Sequence, residues 1–140
     1  MERWVLFAAI SMLFAGLTSV IAKHGLDGIS GELGLTVRTG FVAVFVLAFA
    51  CLAVPREQFS ELTRHNLVWL GLSGATTAMS WVFYYKALKL GEVSTVALID
   101  KGSFIVAVLL AWLVLGEKIT LRVAAGCAVI AVGLLIVSRR

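Results

Sequence analysis

Residues 93–115 read VSTVALIDKGSFIVAVLLAWLVL. The stretch is apolar except for two adjacent charges, Asp100 and Lys101, placed well inside it. A lone strand of this composition would leave its backbone unsatisfied in lipid, and a water-facing helix would show one polar face. An all-round apolar helix is stable only when buried or in a bilayer. The segment therefore predicts a membrane helix with an inset charge pair.

Working outward, four more runs share this character. Trp4–Ala22 is closed by Lys23-His24-Gly25, and Leu33–Val54 is stopped by Pro55, which cannot continue a helix. Leu67–Leu90 ends at Gly91, read as a C-cap, and Leu121–Val137 follows Thr120, read as an N-cap. Spans of about 20 residues each fill the chain. The expected architecture is all-α and integral to the membrane: a single domain, residues 1–140, forming a bundle of five transmembrane helices at about 4–22, 33–54, 67–90, 93–115 and 121–137. The stretch from Pro55 to Asn66 holds most of the extramembrane charge, and Phe59 and Leu62 suggest a short interfacial turn. Ser138, Arg139 and Arg140 would anchor the last helix at the interface.

Composition agrees. Only 14% of the residues are charged and 61% are hydrophobic, against about 25% charged in soluble chains. The apolar run from Trp4 exceeds the core of a secretory signal, so it reads as a first span. The net charge of +4 is dispersed, with no basic patch carrying interleaved aromatics, so nucleic acid is not an expected partner. Cys51 and Cys127 lie alone in apolar runs and read as small buried hydrophobes. No nucleophile–base pair, metal-ligand cluster or nucleotide motif is visible, so neither catalytic residues, a cofactor nor a metal is expected.

Small residues recur at helical spacing: Ala8, Ser11, Ala15 and Ser19; Ser73, Thr77 and Ser80; Gly126 and Gly133. Such faces let helices approach closely in lipid. The expectation is a packed bundle rather than five separate anchors.

Let the five spans alternate between sides A and B, with the N-terminus on A. Lys23, His24, Arg38, Lys86, Asp100 and Lys101 then all fall in the B half of the membrane. A charge near the bilayer centre costs about 2.5–3.5 kcal/mol, so it is normally paired or lines a water-filled cavity. Lys23, His24 and Lys86 sit near helix ends and are expected to snorkel to the interface. Arg38, Asp100 and Lys101 are inset further and are expected to converge on a polar vestibule open to side B. Asp100 shares a helix face with Ser103, and Tyr84 continues the Ser73–Thr77–Ser80 stripe with Trp81 beside it. Polar groups among aromatic surface describe a small-molecule pocket. The candidate substrate-binding set is Arg38, Ser80, Trp81, Tyr84, Asp100, Lys101 and Ser103. Glu117 and Lys118 read as the cap of a tight interhelical turn.

Orientation is weakly specified. Side A carries Arg3, Arg56, Arg64, Lys118 and Arg122; side B carries Lys23, Lys89, Arg139 and Arg140 besides the inset cations. With so even a distribution the chain is expected to insert both ways. Two oppositely oriented copies would form an inverted repeat with a site between them.

The stretch Ser80-Trp81-Val82-Phe83-Tyr84-Tyr85-Lys86-Ala87-Leu88-Lys89-Leu90-Gly91 resembles the EamA-type repeat of the drug/metabolite transporter superfamily. So do Val93-Ser94, Ile99-Asp100-Lys101, Leu115-Gly116-Glu117-Lys118, Ala22-Lys23, Gly25-Leu26 and Arg38-Thr39. The likeness covers essentially one repeat and is nearest to the single-repeat, five-helix bacterial members. It implies a homodimer, since full-length members hold two inverted repeats. The first span lacks the acidic residue of the four-helix multidrug exporters, so their proton coupling does not carry over. Where many two-repeat members place a proline in the fourth helix, this chain has Ile99-Asp100-Lys101-Gly102.

These features together predict a secondary transporter of a small polar or amphipathic metabolite or drug. It would work by alternating access in the bacterial inner membrane, as a homodimer of antiparallel copies surrounded by lipid. The alternative is a non-transporting accessory subunit of a larger membrane complex, and the inset charges weigh against it.

Overall fold

A computed structural model of the chain describes residues 3–138, with the side chain of Ser138 outside that description. The anchoring role expected for Arg139 and Arg140 falls outside the described residues. The described residues form six α-helices in order: α1 (Arg3–Gly25), α2 (Gly31–Ala53), α3 (Arg64–Leu90), α4 (Val93–Asp100), α5 (Ser103–Leu115) and α6 (Leu121–Ser138). A 3₁₀ turn, Arg56–Glu61, joins α2 to α3 where Phe59 and Leu62 had suggested a short turn. The described residues contain no strand.

Local chemistry sets the helix ends. Ser30 caps α2, its hydroxyl accepting from the Leu33 amide at 3.2 Å, and Glu32 places a carboxylate in the positive first turn. Thr63 and Asn66 cap α3 reciprocally. Asn66 Oδ1 accepts from the Thr63 amide and Thr63 Oγ1 from the Asn66 amide, each at 3.2 Å. Helix α3 therefore begins at Arg64, three residues before the apolar run. Thr120 Oγ1 accepts from the Val123 amide at 3.3 Å and opens α6 as expected. Gly116 ends α5 in the left-handed region (φ 68°), and the Glu117 amide reaches back to the Ala111 carbonyl at 3.2 Å. The capping at this turn is thus done by backbone, not by the Glu117 and Lys118 side chains. Gly91 follows the last residue of α3 but is not left-handed; Gly28 and Gly116 hold that geometry among the described residues.

The main departure from expectation lies in the segment that decided the fold. Instead of one helix over 93–115, the chain breaks at Lys101-Gly102. Both residues keep right-handed backbone angles, φ −65° and ψ −12° for Lys101, φ −60° and ψ −19° for Gly102. The winding tightens: Gly102, Phe104 and Ile105 donate to Ile99, Lys101 and Gly102 at 2.9, 3.3 and 3.0 Å, each three residues back. Such a 3₁₀ interlude inside a helix interrupts the regular ladder without reversing the chain. A Cβ at Gly102 would lie 3.0 Å from the Ile99 carbonyl and 3.1 Å from Leu134 Cδ1 of α6, so a larger residue would have to displace these neighbours slightly.

Among the described residues, three segments are long and apolar enough to cross a bilayer: Arg3–Gly25, Gly31–Ala53, and Val93–Leu115 taken across its break. Leu121–Val137 is apolar but shorter. Helix α3 is the longest at 27 residues. It is more polar, carrying Arg64, His65 and Asn66 at one end and Lys86 and Lys89 near the other.

The chain divides into two compact units, one of them Ile21–Leu90 and the other drawn from the residues on either side. In the second of these, α4 packs on α6. In the Ile21–Leu90 unit, α2 and α3 run antiparallel, with Gly31 at the start of α2 against the backbone of Tyr85 near the end of α3. Its core is Leu26, Tyr85 and Leu88, at 2%, 4% and 0% exposed.

A Cβ at residue 31 would sit 2.9 Å from the Tyr85 carbonyl oxygen, whereas Gly40 on the same helix has nothing within 4 Å. We expect Gly31→Ala to destabilise by about 1–3 kcal/mol through overpacking, and Gly40→Ala to be neutral or stabilising by up to about 1 kcal/mol. Thermal melts in detergent check this; equal melting temperatures for the two variants would place the α2–α3 contact elsewhere.

Candidate functional site

The polar groups of the Ile21–Leu90 unit sort by what satisfies them. Several hydroxyls are turned back on their own helix. Thr36 and Thr39 donate to Glu32 and Leu35 carbonyls at 2.9 and 2.8 Å, Thr77 to Ser73 at 2.8 Å, and Thr76 to Ser73 at 2.9 Å. A hydroxyl bonded in this way is tolerated in lipid because no donor is left over.

The lysines near the helix ends have defined partners. Lys23 Nζ donates to the Leu88 carbonyl at 2.5 Å, one of the last four carbonyls of α3, which have no partner within the helix. Lys89 Nζ donates in the other direction, to the Leu26 carbonyl at 2.9 Å. The two ammonium groups thus tie the α1–α2 turn to the end of α3. Hydrogen bonds to charged groups are worth about 1.5–3 kcal/mol each. Lys86 pairs with Glu32 at 3.5 Å, both side chains more than half exposed, so this pair contributes less. Lys23 and Lys86 are therefore held to defined partners near the helix ends. Lys23, His24, Leu26, Asp27 and Lys89 also line a cleft of about 420 Å³.

Arg38 is held in another way. Its guanidinium carbon lies 4.3 Å from the Trp81 ring centroid and 5.8 Å from that of Tyr85. Residues 81 and 85 are one helical turn apart on α3, so their rings form a continuous platform facing α2. A cation over an aromatic face gains about 0.5–1 kcal/mol when exposed and about 2 or more when desolvated. Tyr85 is flanked in turn by Tyr84, the two rings 6.3 Å apart and edge to face. Arg38 Nη1 and Tyr85 Oη are buried without a hydrogen-bond partner, the two side-chain atoms of this kind among the described residues.

Next to this stack lies a groove of about 520 Å³ between α2 and α3, with Leu35, Thr39, Ser73, Thr77, Trp81 and Val82 among its walls. Trp81 belongs to both features. Of the residues expected from sequence, Arg38 and Trp81 come together, Tyr84 borders them, and Ser80 is exposed. Asp100, Lys101 and Ser103 belong to the other unit, at the break between α4 and α5, Asp100 half-buried and the other two exposed. The sequence reading missed Tyr85. Its signal was the four-residue spacing from Trp81, which the hydroxyl stripe through Ser80 and Tyr84 drew attention away from.

Apolar helices long enough for a bilayer, with polar groups satisfied internally and one inset aromatic–guanidinium stack, define a multi-pass membrane protein with a pocket between helices. The chain belongs to the EamA-like transporter family, which matches residues 2–139. It is also 34% identical over 137 residues to a Sinorhizobium protein described as "uncharacterized transporter in cobO 3'region", covering 98% of this chain and 97% of that one. No solved structure matches it. Members of this family are transporters rather than enzymes, in keeping with the resemblance read from residues 80–91.

The stack makes a stability prediction. In a double-mutant cycle of Arg38→Met and Trp81→Leu, unfolded in detergent, the coupling should be about 1 kcal/mol. Strict additivity would show that the two side chains do not support each other.

Proposed function

We propose that the chain is a secondary transporter of a small polar or amphipathic metabolite, working by alternating access as a homodimer of five-helix repeats in the inner membrane. The observation that carries this is membership of the EamA-like family across residues 2–139. The relative described as a transporter supports it, being matched over 97% of its own length by this one repeat. The break at Asp100–Gly102 adds a physical argument. Secondary transporters build sites from discontinuous helices near the bilayer midplane, where freed backbone groups and inset charges meet solute. In this reading the inverted partner is a second copy of the chain. The nearly even spread of Lys and Arg favours oppositely oriented copies.

In this reading Arg38, Trp81 and Tyr84 serve the solute, and Asp100, Lys101 and Ser103 line the broken helix where a proton or cation couples to movement. Purified protein reconstituted in liposomes should catalyse counterflow of at least one solute from a metabolite library. Asp100→Asn should abolish or uncouple it while the protein still melts cooperatively. Unchanged transport and pH dependence in that variant would remove Asp100 from the mechanism, and no counterflow of any solute would argue against a carrier.

Topology gives a separate check. Lysines added to the Pro55–Asn66 loop should drive side A to the cytoplasm, and lysines added after Arg140 should drive side B there. Each biased form alone should transport poorly and the pair together should recover activity. Full transport by a single biased form would rule out the antiparallel dimer.

A further inference from the structure

The cations near the α2–α3 contact are mostly committed. Lys86 is paired with Glu32, and Lys23 and Lys89 donate to main-chain carbonyls. The Arg38 charge rests instead on ring faces. Stacking occupies the flat side of a guanidinium and leaves its edge, with the N–H donors, to bond something else. On that edge Nη1 is buried and unpartnered, and Tyr85 Oη, on a side chain only 4% exposed, is in the same condition. Leaving two donors of one stack buried and unpaired is unfavourable, so the arrangement stores a demand for an acceptor.

We propose that this stack recognises the carboxylate of a monoanionic, amphipathic substrate whose apolar body lies along Trp81 in the α2–α3 groove. The inference rests on the transporter reading above and adds to it the charge and shape of the solute. Three features select that chemistry. A guanidinium edge matches the two oxygens of a carboxylate, and a phenol can donate beside it. One uncommitted positive charge balances one negative charge. The second charge of a phosphomonoester would find its nearby cations already engaged, in a medium where unpaired charge is costly. Finally, Thr39 and Thr77 have spent their hydroxyl donors on Leu35 and Ser73. With Leu35, Leu70, Ala78, Trp81 and Val82 along it, the groove wall is mostly apolar and suits an aromatic or aliphatic body better than a hydroxyl-rich one. Its volume of about 520 Å³ is of the size small-molecule sites have.

The test is equilibrium binding of radiolabelled phenylacetate to full-length protein in phosphatidylcholine nanodiscs. Phenylacetamide, phenethylamine and phenyl phosphate serve as competitors of matched shape. Phenylacetate should bind saturably, and each competitor should be weaker by about tenfold or more. Arg38→Gln should weaken binding by about tenfold to a hundredfold, Arg38→Lys should not restore it, and Tyr85→Phe should weaken it several-fold with near-normal melting. Should the Arg38 variants fail to fold, the competitor series on the unmodified protein still decides. Absent phenylacetate binding, or equal competition by the amide or the amine, overturns the proposal. So does preference for phenyl phosphate, which would assign the stack to phosphate; repeating the assay with phosphatidylglycerol in the disc then separates a lipid headgroup from a free phosphate ester. Counterflow of a neutral or cationic solute without carboxylate binding refutes this inference and keeps the transporter. Carboxylate binding with no counterflow of any solute does the reverse.

Discussion

In a hydrocarbon medium no water stands ready to replace a lost hydrogen bond, and an unsatisfied polar group costs several kcal/mol. Polar side chains between α1 and α3 show three different answers to that constraint. Threonine hydroxyls return to the carbonyl three or four residues back, as Thr39 and Thr77 do. Lysines spend their charge on carbonyls that a helix end leaves over, as Lys23 does at Leu88 and Lys89 at Leu26. Arg38, with more donors than any neighbouring carbonyl could satisfy, lies against aromatic faces. The first two solutions close the structure. The third leaves Arg38 Nη1 without a hydrogen-bond partner, and that difference sets Arg38 apart from the polar groups whose role is structural.

The same constraint explains how much of the fold could be read in advance. Bilayer solvent forces long apolar runs, so α1, α2 and α6 appear in sequence to within a few residues of Arg3–Gly25, Gly31–Ala53 and Leu121–Ser138. Boundaries moved where capping overrode hydropathy. The Thr63–Asn66 pair starts α3 at Arg64, inside what reads as a polar loop. The break in the fourth apolar run was not legible because glycine is tolerated in membrane helices and no proline marks the spot. Leu134, distant in sequence, lies 3.1 Å from where a Cβ at residue 102 would be, a neighbour that the local sequence does not reveal.

Site residues were legible in part for a related reason. Inset charge is conspicuous in an apolar run, so Arg38 and Asp100 stand out from composition alone. The identity of what receives the charge depends on helix phase between α2 and α3, which one helix's own periodicity does not specify. A stripe of hydroxyls through Ser73, Thr77 and Ser80 looks more like a binding face than the pair Trp81 and Tyr85. In the structure the hydroxyls of that stripe serve the backbone at Thr77, and the aromatic pair carries the cation.

The close approach at Gly31 ties these observations together. Because residue 31 has no Cβ, the start of α2 can meet the α3 backbone at Tyr85. That contact fixes the phase of α2 against α3. Arg38 lies seven residues on, almost two full turns, and so returns to the same face of α2. It meets Trp81, one turn back along the antiparallel α3 from Tyr85. The small residue at the helix end and the large charged one inset by about 10 Å are thus parts of one device. A substitution that pushed α2 away at Gly31 would also rotate or lift Arg38 from its platform, so helix packing and the availability of the guanidinium edge are set by the same contact.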